Sequence, residues 1–197
     1  MRGLVIGLVV VAVLAALVIG WAVSVNNQLV TLELSVNEKW AQVQNVYQRR
    51  SDLIPNLVET VKGFAAQERG VLEAVTRARA SATSIQLTPE ALNDPQALQK
   101  FQAAQSQLSG ALSRLMLTVE RYPELKSNQN FLTLQSQLEG TENRIAVERQ
   151  RFNTAVRDYN TRLRLFPGNI VARFAGFQAK AFFEAAPDAA TPPKVKF

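Results

Sequence analysis

Apolar residues recur along most of this chain at intervals of three and four positions, the spacing of one face of an α-helix. After an almost wholly apolar, uncharged stretch at residues 3–25, the first such stripe comprises Leu29, Leu32, Val36, Trp40, Val43 and Tyr47. The spacing resumes at residues 54–75, and two further stripes follow at 98–119 and 125–163. Because no strand-like alternation interrupts them, the sequence predicts an all-α protein.

The stretch at residues 3–25 predicts a transmembrane helix. At ~1.5 Å per residue it would span ~30 Å, the thickness of a bilayer's hydrocarbon core. Trp21 lies near its far end, where an indole ring favours the membrane interface. A cleaved signal peptide is the alternative, because residues 22–24 (Ala-Val-Ser) are small. The apolar run, however, is longer than the ~7–15 residues of a signal-peptide core, and this favours an uncleaved anchor.

Charges beside this stretch predict its orientation. Arg2 precedes it, whereas Glu33 and Glu38 are the first charged residues after it. The positive-inside bias therefore leaves the N-terminus in the cytoplasm and places the rest of the chain on the other side of the membrane.

Residues 51–55 decide the predicted topology. Ser51 or Asp52 would cap a new helix, and Pro55 would then lie in a first turn, where N–H groups lack helical partners. In a continuous helix the same proline would cost ~3 kcal/mol or produce a kink. A hairpin here predicts a four-helix bundle in up-down-up-down order, with every apolar stripe covered. The alternative is a continuous helix whose exposed stripe is covered by another subunit.

The pattern divides the chain into a transmembrane anchor (1–28), a helical bundle domain (29–165), an amphipathic segment (166–184) and a disordered tail (185–197). The amphipathic segment begins at the helix-ending Phe-Pro-Gly motif. We expect it to lie in the membrane interface, through Phe174, Phe177, Phe182, Phe183, Arg173 and Lys180, together with Trp21 of the anchor. The alternative is a strap packed over the base of the bundle.

The net charge of +6 is unevenly distributed. Residues 144–197 contain ten Lys and Arg against four acids, whereas residues 1–143 contain twelve of each. A basic C-terminal third suggests an anionic partner. Because this part is predicted to lie outside the cytoplasm, we expect its anionic partner to be the lipid bilayer and not a nucleic acid.

Candidate catalytic chemistry is scarce. The chain has no Cys and no His, which removes thiol nucleophiles, disulfides, thiolate metal sites and imidazole catalysis. Glu68 and Glu142 would fall at similar depth in the hairpin arrangement and suggest a dimetal site. Such sites need about four carboxylates and two His, so we expect these glutamates to form structural ion pairs, and we expect no metal and no cofactor.

Two arginines precede the predicted turn. Arg49 and Arg50, together with Asp52, could bind an anion at the start of a helix, where N–H groups and the helix dipole favour negative charge. A turn-stabilising network with Glu124 is the stronger hypothesis, since structural ion pairs are common. The sequence therefore predicts no enzymatic activity.

Several motifs are those of a known family. They read RRSDLIPNLVETVKG at 49–63, RAR at 77–79, YPELKSNQNFLTLQSQLEGTENRI at 122–145, and RFNTAVRDYN at 151–160 followed by FPGN. With them the chain resembles the LemA family of bacterial membrane proteins over residues 40–183. The resemblance implies an anchor in the bacterial inner membrane and an extracytoplasmic four-helix bundle. The family has no established enzymatic activity, so the resemblance implies a fold more than a function. Gln67 stands where many members carry a His, so no metal site is expected there.

The sequence thus predicts a non-enzymatic, single-pass helical scaffold or interaction protein at the extracytoplasmic membrane face. We expect it to contact lipid, and either to form a homo-oligomer or to bind an unidentified membrane protein. The alternative is an extracytoplasmic ligand-sensing module that acts through a separate membrane partner.

Overall fold

The computed structural model describes residues 2–184, and every regular element in that range is helical, as the sequence predicted. The α-helices are α1 (Arg2–Phe64), α2 (Arg69–Ser84), α3 (Pro95–Val119), α4 (Pro123–Lys126), α5 (Gln129–Arg164) and α6 (Gly168–Ala175). A 3₁₀ turn, Glu90–Asn93, lies between α2 and α3. Residues 177–184, which we call the strap, follow α6 without regular structure. The predicted disordered tail, 185–197, lies outside the described residues.

The first helix joins an exposed apolar segment to a packed one. α1 has 63 residues, which at ~1.5 Å per residue is ~95 Å of helix. Its apolar N-terminal part is exposed and, within residues 2–184, α1 is the one helix long and apolar enough to cross a membrane. Its buried residues begin at Val25 and continue to Val61. The predicted membrane segment and the folded part therefore share one helix.

The predicted hairpin at residues 51–55 was wrong. α1 passes through Pro55, and the chain reverses between Phe64 and Arg69. Pro55 has no N–H to donate to the carbonyl of Ser51, one turn earlier. Arg79 of α2 replaces that donor, because its Nε lies 2.8 Å from the Ser51 oxygen. The helix continues because a neighbouring helix supplies the hydrogen bond that the proline removes.

The apolar stripe of α1 is covered without a hairpin. α5 packs along α1 as far as Arg162, whose Nε lies 3.1 Å from Oε1 of Gln28. α2 is shorter, and the loop that follows it takes its place: Trp40 Nε1 donates to the Leu87 carbonyl at 3.1 Å. The strap fills the remaining gap. Our expectation of an uncovered stripe was therefore mistaken, because irregular segments cover it.

Two apolar cores lie one after the other along α1. The distal core is farther from the apolar segment and combines α1, α2, α3 and the start of α5, including Leu57, Val75, Leu112, Leu115 and Phe131. The proximal core includes Val36, Trp40, Phe101, Phe152 and Phe183. Its aromatic rings are in direct contact: the Trp40 centroid is 5.5 Å from that of Phe101 and 5.6 Å from that of Phe152.

The predicted amphipathic helix ends early. α6 stops at Ala175 because Gly176 adopts φ +79°, the left-handed conformation that terminates helices. Ala172 of α6 is buried together with Val25 and Leu29 of α1. α6 therefore lies at the level where the apolar segment of α1 ends, and the chain then turns into the strap.

The role of Arg79 predicts a coupled mutational effect. Arg79→Ala should lower the unfolding free energy by about 1–3 kcal/mol, because it leaves the buried Ser51 carbonyl without a donor. In a Pro55→Ala background the new N–H binds that carbonyl, so the same change should cost clearly less. Urea unfolding of the full chain in detergent, followed by circular dichroism, measures both values. Arg77→Ala, an exposed arginine of the same helix, is the control. An equal cost in both backgrounds would contradict the hydrogen-bond replacement.

Candidate functional site

A buried arginine separates the two cores. Arg50 is 1% exposed, and its Nη1 donates to Oε1 of Glu142 at 2.7 Å and to Oγ of Ser109 at 2.9 Å. Its Nη2 donates to the side-chain oxygen of Gln105, and its guanidinium carbon lies 5.1 Å from the centre of the Tyr47 ring. We call Arg50, Gln105, Ser109 and Glu142 the polar layer.

The polar layer joins four helices. Arg50 belongs to α1, Gln105 and Ser109 to α3, and Glu142 to α5. Gln105 also donates from Nε2 to the carbonyl of Ala82 in α2, at 3.3 Å. A buried charge is costly unless it is paired and hydrogen-bonded. Glu142 provides the opposite charge while its side chain stays 39% exposed, so the guanidinium is buried and the carboxylate still reaches water.

The predicted network at the turn is not present. Arg50 contacts Glu142, and the expected bracing of Glu124 by Arg49 and Arg50 was wrong, because α1 continues past these arginines to Phe64. Arg49 and Glu124 are both exposed. Asp52 is exposed as well and accepts a hydrogen bond from Nε2 of Gln48 at 2.7 Å.

Glu68 lies in a different place from Glu142. It accepts from the Tyr122 hydroxyl at 2.8 Å and from Nη2 of Arg121 at 3.1 Å, at the junction of α3 and α4. Glu142 lies thirteen residues beyond the start of α5, which places it ~20 Å farther from the junction of α3 and α4 than Glu68. The expectation that Glu68 and Glu142 lie at similar depth in the bundle was therefore wrong. Gln67 donates to the same Tyr122 hydroxyl at 3.0 Å. Within residues 2–184, no group of three or more acidic, His or Cys side chains comes together.

Side-chain amides hold the strap. Asn160 binds both backbone groups of Lys180, donating to its carbonyl at 2.8 Å and accepting from its N–H at 3.0 Å. Asn153 does the same for Phe183, at 2.9 Å for each bond. The two asparagines are seven residues apart on α5, ~10.5 Å along a helix, and three extended residues span ~10 Å. The asparagine spacing on α5 therefore matches an extended strap.

Two further contacts fasten the strap. Tyr159 donates from its hydroxyl to the Gln178 carbonyl at 2.9 Å, and burial raises the pKa of Tyr159 above its ordinary value, which keeps this donor protonated. Lys180 is 6% exposed, and its Nζ lies 2.9 Å from a carboxylate oxygen of Glu33. The strap is thus bound to both α1 and α5.

The residues predicted for the membrane interface divide into two groups. Lys180 and Phe183 are buried in the protein and Phe177 is half-buried, so placing these three in the interface was wrong: the strap binds α5 instead. Phe174 is 89% exposed, and Arg173, Phe182 and Trp21 are also exposed. α6 and the end of the apolar segment carry the exposed members, apart from Phe182 of the strap.

Sequence reasoning missed two functions of polar residues. One is that of Arg79, which lies in the RAR motif, where no local pattern connects it with a proline 24 positions earlier. The other is the binding of the strap by Asn153 and Asn160. Their seven-residue spacing places them on one face of α5, and that was the available signal.

Comparison with known families shows to which family the chain belongs. The model of the LemA family matches residues 39–197, which is most of the chain and includes every residue of the polar layer and the strap. This chain belongs to the LemA family. None of the curated proteins compared with it matches. The apolar part of α1 precedes the matched region, and together with LemA family membership it is compatible with a membrane-anchored protein.

The polar layer predicts an asymmetric mutational response. Glu142→Ala should lower the unfolding free energy by about 1–3 kcal/mol, because it leaves the Arg50 guanidinium buried without its counter-charge. Glu139→Ala, an exposed glutamate of the same helix, should change it by less than ~0.5 kcal/mol. Arg50→Met combined with Glu142→Leu should recover much of the loss, since apolar replacement of a buried pair is often neutral. Urea unfolding in detergent measures all three, and equal effects of the two glutamate variants would refute the assignment.

Proposed function

We propose that this LemA family protein is a non-enzymatic helical scaffold, anchored in the bacterial inner membrane by one span. In this proposal α1, α2, α3 and α5 form an up-down-up-down four-helix bundle outside the cytoplasm, with the first turn at residues 65–68 instead of 51–55. The observation that carries the proposal is the continuity of α1 from its exposed apolar segment into both cores. A shared helix couples the position of the folded part to the membrane, because a helix transmits orientation where a flexible linker does not.

The dimensions support this role. From Val25 to Phe64, α1 extends ~58 Å beyond its apolar segment, and its buried face is packed over that length. The distal end, at the α1–α2 turn, would stand that far from the membrane surface. Such a rigid projection suits a protein that holds a partner, either a second copy of itself or another membrane protein, at a set distance.

The buried charges also favour a structural role. Arg50 and Lys180 are both buried, and each is paired with a glutamate that reaches solvent. Catalytic sites commonly contain titratable groups whose pKa is perturbed and that a substrate can reach. Here the buried cations instead bind elements of the same chain together.

The proposal predicts both topology and association. The chain has no Cys, so each introduced cysteine is the one thiol that can be labelled. In intact cells, a membrane-impermeant maleimide should label Leu117→Cys, which is proposed to lie outside the cytoplasm. It should label Gly3→Cys, on the cytoplasmic side, only after permeabilisation. Crosslinking in the same membranes should yield a homo-oligomer or a heteromeric adduct. Labelling of position 3 in intact cells would contradict the orientation. Recovery of monomer alone would contradict the scaffold.

A cleft beside the polar layer favours ligand sensing as the second candidate. The cleft has a volume of about 310 Å³ and is lined by uncharged residues that include Gln44, Gln48, Phe101 and Gln105. Ser51 also lines it, and within residues 2–184 its buried Oγ has no hydrogen-bond partner. A small polar molecule could satisfy that hydroxyl.

Ligand sensing makes a separate prediction. A thermal-shift screen of the full chain in detergent against free amino acids and small anions should identify a compound that raises the melting temperature. Ser51→Ala should abolish that shift, because it removes the unpartnered hydroxyl, whereas the exposed Thr83→Ala should weaken it less. The absence of any hit would count against the sensing role and would leave the scaffold proposal intact.

A further inference from the structure

The most exposed aromatic residues of the folded part lie beside the end of the membrane segment. Among residues 26–184, Phe174 at 89% and Phe166 at 76% are the most exposed large apolar side chains. Leu165 and Ile170 are also exposed, at 58% and 45%. We call residues 164–175 the foot. Exposed apolar side chains concentrated in one short segment commonly mark an interaction site.

The position of the foot is set by its contacts with α1. Ala172 is buried against Val25 and Leu29, which are four residues apart and therefore ~6 Å apart along α1. The apolar segment ends at Val25, so this interval begins where the hydrocarbon core ends. A headgroup layer is ~5–8 Å thick on each side of a bilayer. The foot thus lies at the depth of the headgroups when α1 spans the membrane.

The charges of the foot are of one sign. Arg164 and Arg173 are exposed within it, and no Asp or Glu occurs between Asp158 and Glu184. Of the other two cations in this stretch, Arg162 donates to Gln28 of α1 and Lys180 of the strap is paired with Glu33. Aromatic and aliphatic side chains next to exposed arginines are typical of interfacial segments that bind anionic lipids.

We propose that the foot enters the headgroup layer of the leaflet facing the folded domain and binds anionic phospholipid. Phe166, Ile170 and Phe174 contact the upper acyl chains, while Arg164 and Arg173 pair with lipid phosphates. This inference rests on the proposed membrane anchoring, and it adds a second point of membrane contact beside α1. Lys180 and Phe183 of the strap are excluded from that contact, because both are buried in the protein.

Site-directed spin labelling tests the depth of the foot. The chain has no cysteine, so Phe174→Cys and the distal control Leu117→Cys, 65% exposed, each carry a single nitroxide. In full-length protein reconstituted into vesicles of phosphatidylglycerol and phosphatidylcholine, the ratio of nickel-chelate to oxygen collisions should be several-fold lower at position 174 than at position 117. Equal ratios would overturn the proposal.

Charge reversal tests the lipid class. Arg164→Glu with Arg173→Glu should raise nickel accessibility at position 174 more in phosphatidylglycerol-containing vesicles than in phosphatidylcholine alone. Arg114→Glu, an exposed arginine of α3, should leave it unchanged. An equal rise in both lipids would refute anionic-lipid binding.

Two controls separate this inference from its alternatives. Spin–spin broadening at position 174 that disappears on dilution with unlabelled protein would mean that a second copy covers the foot, which would overturn lipid contact. Retention of the same labelled protein in the vesicles after an alkaline carbonate wash reports on anchoring. Retention with a water-exposed position 174 would refute the foot alone, whereas loss of retention would refute the anchor itself.

Discussion

The fold depends on keeping α1 continuous across Pro55. A proline inside a helix removes one hydrogen bond and crowds the carbonyl one turn earlier, at a cost of ~3 kcal/mol. Here that carbonyl, of Ser51, accepts from Nε of Arg79 instead. The Ser51 carbonyl that the proline leaves free therefore binds α2 to α1 at a defined height. In a helix without proline, this carbonyl would already accept a hydrogen bond from its own helix. Without the Arg79 contact, the membrane segment and the distal core would not share one axis.

The polar layer adds the second constraint on packing. Apolar stripes alone permit helices to slide by a turn, because leucine and valine side chains fit many neighbours. A buried polar residue at one level restricts the register, as single polar positions do in coiled coils. Arg50 has this effect between the two cores, since only one alignment brings Glu142, Gln105 and Ser109 to its guanidinium. Buried ionic pairs are weak contributors to net stability, so specificity is the better explanation for retaining this one.

Much of the fold followed from the sequence, and the largest error shows what local signals omit. The helical class, the apolar segment and the apolar stripes of α3 and α5 were predictable from periodicity. The hairpin was inferred from Ser51, Asp52 and Pro55, which are all local. The nonlocal signal pointed the other way: buried positions of α1 recur every seven residues through the proline without a change of phase, at Leu29, Val36, Val43, Arg50 and Leu57. A hairpin would have reset that phase. A strap packed on the bundle was the alternative for residues 166–184, but its attachment could not be predicted in detail, because side chains of α5 bind its backbone groups and backbone groups carry no sequence pattern.

One helix through a membrane leaves its rotation and tilt to be set by other contacts. In this protein α1 and α5 run side by side, and α5 ends at the level of Gln28 through the contact of Arg162. α6 then covers Val25 and Leu29 before the strap returns along α5. The chain thus makes three passes near the end of the apolar segment, which is more structure than covering a short stripe requires. Such an arrangement is explained if the membrane-proximal end must resist tilting. A second contact between the foot and the headgroups, to one side of α1, would fix the direction in which the distal core points.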